Sequence, residues 1–122
     1  MRTKNATVNL AIHPKFLMIL PLLDEWWYEK AGYELIITSA FDGVHTALHS
    51  DHYKGMAIDM RTWTYNGSFE QMSGISRKTI ARKLARCLGK HFYVKDERDH
   101  FHISFRPTNI LTWNDYPFGI NT

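Results

Sequence analysis

The stretch HFHISF, His100 to Phe105, limits the possible folds more than any other part of the chain. Its residues alternate strictly, with His100, His102 and Ser104 at one parity and Phe101, Ile103 and Phe105 at the other. A period of two is the signature of a strand buried on one face only, and neither a helix nor a strand buried on both faces accommodates it. Such a strand needs a sheet to pair with and an apolar layer behind it. Met56 to Met60 reads as a companion strand, with Met56, Ile58 and Met60 toward the core and Ala57, Asp59, Arg61 and Trp63 on the other face.

Around these two strands the pattern is mixed. Val8 to Ile12 alternates weakly and reads as a short strand. Pro14 to Glu29 has helical periodicity, with Pro21 expected to kink or shorten it and Gly32 to end it. Tyr33 to Thr38 is rich in β-branched and aromatic residues and reads as a strand, and Ser39 to Gly43 as a loop. Asn66-Gly67 marks a turn. A helix to Leu88 follows, with Ser76 as its expected N-cap and Gly89 as its stop. Its apolar positions, Ile80, Leu84, Cys87 and Leu88, share one side, so the basic residues between Arg77 and Lys90 form its solvated face. Phe92 to Lys95 is a further strand, joined to Phe101–Phe105 through the turn KDERD. The expected fold class is α+β, a small antiparallel sheet with helices packed on its other side, in a single domain over residues 1–122.

Composition removes several function classes. With 122 residues, 44% of them hydrophobic, the chain is long enough to fold around one core without staples. Cys87 is the sole cysteine, which excludes an intrachain disulfide and a multi-thiolate zinc site. The net charge of +3 is too modest, and nucleic-acid motifs too absent, for a nucleic-acid partner. FLMILPLL (Phe16–Leu23) is far shorter than the roughly 18 residues that span a bilayer, and MRTKNATVN lacks the features of a secretory signal. A soluble protein made in the cytoplasm without a leader, and monomeric, is therefore expected.

Five of the seven histidines fall in two clusters, at positions 45, 49 and 52 and at positions 100 and 102, and Asp59 adds a carboxylate seven residues after His52. Imidazole with carboxylate suits a divalent metal, zinc above all, and three protein ligands leave a fourth position for water. His45, His49 and His52, spaced i, i+4 and i+7, could bind a metal from one helical face, although Ser50-Asp51 and Gly55 argue against a sustained helix. His13 and His91 are read as ordinary structural or surface residues; Tyr53 and Trp63 could line a substrate groove, but aromatic residues near a strand more often pack in the core or its rim, and they are assigned no site role.

His52-Tyr-Lys-Gly55-Met-Ala57-Ile-Asp59 reproduces an HxxGxAxD motif, and Asp99-His-Phe-His102 resembles the later (D/E)xxH motif, of the zinc D-alanyl-D-alanine carboxypeptidases and related peptidoglycan peptidases. That group includes phage endolysins that cut the L-alanyl-D-glutamate bond and, by fold, the hedgehog signalling domain. ITSAFDGVH and DMRTW extend the likeness to small phage-encoded members, so it covers roughly Ile36 to Phe105. The resemblance implies a hedgehog/D,D-peptidase-like fold whose sheet carries one zinc ion held by His52, Asp59 and His102. It also implies Asp99 as general base and a peptidoglycan peptide as substrate. It further implies action on the cell wall, as a phage-delivered or virion-associated enzyme, with an inactive zinc-stabilised wall-binding or virion module as the alternative. His100, on the face of His102, is read as stabilising an oxyanion. A rival register, Glu97-Arg-Asp-His100, would make His100 the ligand and Glu97 the base, although the DHxH stretch resembles members that use the first register. Larger members carry an arginine where this chain has Ala40-Phe41-Asp42, and Arg61 is expected to supply that positive charge to the substrate.

Overall fold

The computed structural model describes residues 1–6, 8, 12, 14–40 and 57–106. His45, His49, His52, Gly55, Met56, most of the short strand expected over 8–12 and the segment from Pro107 lie outside the described residues. Within them the order is β1 (Arg2–Thr3), α1 (Pro14–Ala31), β2 (Ile36–Ser39), β3 (Ala57–Arg61), β4 (Trp63–Tyr65), β5 (Phe69–Gln71), α2 (Gly74–Leu88), β6 (Phe92–Asp96) and β7 (His100–Phe105). A five-stranded sheet runs β1-β2-β3-β7-β6, and β4 and β5 form a separate hairpin. The chain is thus α+β, but its sheet is mixed rather than wholly antiparallel. β1 lies parallel to β2 because α1 is the crossover that returns the chain to the same end of the sheet.

Both helices cover one face. In α1 the residues Phe16, Ile19, Leu20, Leu23, Trp27 and Ala31 recur at helical spacing and are buried. Trp27 meets Phe101 edge-on with ring centroids 6.2 Å apart, and Phe16 meets Phe92 at 5.6 Å and Phe105 at 6.4 Å. α2 buries Ala81, Leu84 and Leu88 along β6 and exposes Lys78, Arg82, Lys83 and Arg86, whereas Arg77, expected on the solvated face, is largely covered and paired with Asp96 of β6. Ile58, Met60, Phe101 and Ile103 have no exposed surface. Each such side chain contributes about 1.5–3 kcal/mol through burial, which fixes which way the strands face.

Pro21 does not shorten α1, which continues through it to Ala31. The hydrogen bond that proline forfeits is to the Leu17 carbonyl, and both Pro21 and Leu17 lie on the exposed side, where water replaces the missing donor. Gly32 ends the helix as expected, with φ of 82° and its N–H bonded to the Tyr28 carbonyl at 2.9 Å. A Cβ there would lie 2.5 Å from the Tyr65 carbonyl oxygen, so only glycine lets β4 approach the helix end this closely. The N-cap of α2 is Ser73 rather than Ser76: the Ser73 hydroxyl accepts from the Ser76 N–H at 3.2 Å. Ser76 is three positions into the helix, where its own N–H needs a cap.

Candidate metal and catalytic site

The opposite face of the sheet is polar. In the β3–β7 pairing Asp59 stands directly across from His102, Arg61 from His100 and Ala57 from Ser104. Opposed residues of an antiparallel pair share a face with Cβ atoms about 4.5–5.5 Å apart, so two motifs distant in sequence meet side by side. A register shift between Ile37 and Ser39 brings Ser39 opposite Asp59 from the other neighbouring strand. Bulges of this kind re-aim side chains beside functional sites.

His102 Nδ1 lies 3.0 Å from Asp59 Oδ1, and its Nε2 lies 2.8 Å from Ser104 Oγ. The Ser104 hydroxyl is buried and can rotate to donate to or accept from Nε2, so it holds the ring in either tautomer. His100 Nδ1 is 2.6 Å from Asp99 Oδ1, while its Nε2 is 3.7 Å from Asp59 Oδ2. The imidazole of His100 therefore stands between two carboxylates. Side-chain exposure falls inward from 79% at Asp99 to 31% at His100 and 16% at Asp59. The hydrogen bond from His100 holds the Asp99 carboxyl below the usual carboxylate range, against a smaller upward pull from desolvation.

The turn between β6 and β7 sets this acid in place. The Glu97 N–H donates to the His100 carbonyl at 2.9 Å, and Arg98 takes a left-handed φ of 76°. Asp96 Oδ1 accepts from the Arg98 N–H at 3.0 Å and from Arg77 Nε of α2 at 2.9 Å, tying the turn to the helix behind. Asp99 is thereby directed into an open cleft of about 370 Å³ lined also by Asp59, Arg61, Trp63 and His100. Glu97 lies instead against Lys95, with Oε1 3.3 Å from Nζ.

Arg61 reaches the same cleft, its guanidinium carbon 4.2 Å from the centre of the Trp63 ring. This stacking orients the cation without occupying its hydrogen-bond donors. Trp63, for which the sequence left a groove wall as the alternative to packing, is a wall of the cleft. Its parity with Asp59 and Arg61 was the signal for that position. Lys4, also in the cleft, carried no sequence signal.

Of the residues expected to hold zinc, Asp59 and His102 adjoin each other and His52 lies outside the described residues. Among the described residues no group of three or more His, Cys, Asp or Glu side chains is arranged to hold a metal ion. The pair itself suits one: its oxygen and nitrogen are 3.0 Å apart, and two ligand atoms on tetrahedral zinc are about 3.3 Å apart. The Ser104 hydroxyl is also placed as the outer partner that a ligating imidazole needs. Comparison of the chain with protein-family models, curated proteins and solved structures returned no match.

Proposed function

We propose that the chain is a zinc-dependent peptidase that hydrolyses a peptide bond in bacterial peptidoglycan stem peptides or cross-links. The observation that carries this reading is the opposition of Asp59 and His102 beneath a cleft that also holds Asp99 and His100. In this reading His52, Asp59 and His102 hold one zinc ion. Bound there, zinc would polarise the scissile carbonyl and lower the pKa of a water to about 7.

The remaining chemistry belongs to the chain. Asp99, a carboxylate directed into the cleft, accepts the proton of the attacking water and returns it to the leaving amine. Asp99 also orients His100, whose other ring nitrogen, beside Asp59, donates to an oxygen that gains charge when the ring is doubly protonated. Arg61 contributes a fixed positive charge for a substrate carboxylate or oxyanion. The direction of Asp99 into the cleft, and the ion pair of Glu97 with Lys95 beside it, favour Asp99 as the base.

The test is release of amino groups from purified peptidoglycan, abolished by a chelator and restored by zinc, with mass spectrometry of the fragments to identify the bond. Asp99→Asn should retain zinc and lose about 10²–10⁴-fold in turnover, whereas Glu97→Gln should remain active. The reverse result moves the base to Glu97. No release under zinc-replete conditions would replace the enzyme with a zinc-stabilised wall-binding module.

A further inference from the structure

The β4–β5 hairpin carries rings that the proposed chemistry does not use. Trp63 and Tyr65 stand at one parity of β4, and Phe69 pairs directly with Tyr65, so the three share one side of the hairpin. Phe69 lies between the other two, its ring centroid 6.0 Å from that of Trp63 and 4.8 Å from that of Tyr65. The buried Tyr33 ring meets Phe69 edge-on at 5.3 Å, and the Tyr33 hydroxyl accepts from the Trp63 N–H at 3.1 Å. These contacts hold the rings in place, yet Phe69 remains 53% and Tyr65 45% exposed. Cross-strand pairing explains why the rings touch one another. It does not explain why about half of each faces water beside a cleft that Trp63 lines.

The chemistry around this ledge narrows what could cover it. Of residues 63–71 only Glu70 is charged, and it pairs with Thr64 at the opposite parity, away from the rings. The turn residues Asn66, Gly67 and Ser68 are exposed and uncharged. A polyanion or an anionic membrane therefore finds no cation on the hairpin. Two half-exposed rings also fall well short of the roughly 800 Å² per partner that a stable protein interface buries. The fitting ligand is small, neutral and amphipathic, with an apolar face for the rings and polar groups for the turn. A sugar ring has this form, because its C–H groups make a face and its hydroxyl and acetamido groups make a rim.

We infer that the ledge of Trp63, Phe69 and Tyr65 binds a neutral N-acetylated sugar of a glycan strand, next to the peptide held in the cleft. The identity of that polymer rests on the peptidase reading above, since wall stem peptides hang from such sugars. The sugar site itself needs no metal. Trp63 joins the two regions, with the Arg61 guanidinium over its ring and Phe69 beside it. The preferred substrate is accordingly a peptide still attached to its glycan.

The probe is N,N′,N″-triacetylchitotriose, titrated into the isotope-labelled full chain and followed by NMR. Saturable shifts at the Trp63 indole N–H and at the Tyr65 and Phe69 amides are expected, with a Kd on the order of 1 mM. Tyr65→Ala and Phe69→Ala should each weaken binding about tenfold, the loss that removing about 55 Å² of apolar contact gives. Well-dispersed spectra would show that both variants fold. Tyr65→Phe should keep the affinity, as should Met18→Ala, which removes a half-exposed side chain near the other end of α1. No saturable shift at about ten times the expected Kd, shifts confined to other surfaces, or binding that survives both ring variants would overturn the inference. Self-association that Phe69→Ala abolishes would also overturn it, by assigning the rings to a second copy of the chain. Sugar binding without wall hydrolysis would leave the ledge and remove the peptidase. Wall hydrolysis without sugar binding would leave the peptidase and remove the ledge.

Discussion

β7 presents two environments from six residues. Phe101, Ile103 and Phe105 are sealed under the helices, while His100 lines a cleft, His102 shares its side of the strand, and the two are linked to Asp99 and Asp59. On the back, stability depends on volume and contact. On the front it depends on whether each polar atom keeps a partner, and the energetic stake there is smaller. The contrast shows how one strand serves both purposes: alternation lets burial fix the register on one side and so align polar groups on the other, at no cost to the core.

The contrast can be broken most forcefully at Phe101. Phe101→Ala should cost about 3–5 kcal/mol in chemical denaturation, and a loss below about 1 kcal/mol would mean that the back face is not the foundation. His102→Ala should cost the metal-free protein about 1–3 kcal/mol, by leaving Asp59 and the buried Ser104 hydroxyl short of a partner. It should also abolish zinc retention in equilibrium dialysis, and a stability loss matching that of Phe101→Ala would erase the distinction between faces. Arg98→Gly, in the turn joining β6 to β7, should raise stability by up to about 1 kcal/mol, because it relieves a left-handed conformation that side chains resist.

The smallest effect belongs to the most exposed acid. Because the Asp99 carboxyl is lowered in the folded chain, its stabilising share is fully present above the ordinary carboxylate range and is lost as pH falls through the lowered value. Solvent screening at this exposed position keeps that share below about 0.5 kcal/mol. Denaturation midpoints of Asp99→Asn and the parent should therefore converge as pH drops from about 7 to about 2. Divergence on acidification would contradict the link to His100.

How much of this was legible depends on the range over which each signal acts. The two faces of β7 could be read directly, because alternation is local. The expectation that Asp59 and His102 share a site came from a resemblance, since no local pattern says that β3 and β7 are neighbours or in which register. β1 escaped notice because two residues show no period, and with it went Lys4. Pro21 misled because its cost depends on whether the orphaned carbonyl faces water. Ser73 and Ser76 are the same residue type three apart, and only the geometry tells the cap from the capped.

Asp96 carries a consequence for how this cleft would vary. Its carboxylate joins Arg77 on α2 to the turn that presents Asp99, yet Asp96 itself is not among the cleft's lining residues. Changes behind the sheet can thus adjust the acid in front of it without altering any group that lines the cleft. On the proposed peptidase reading, a selection for altered pH or substrate range should accordingly recover substitutions at Arg77 and Asp96, two positions that a search confined to the cleft would pass over.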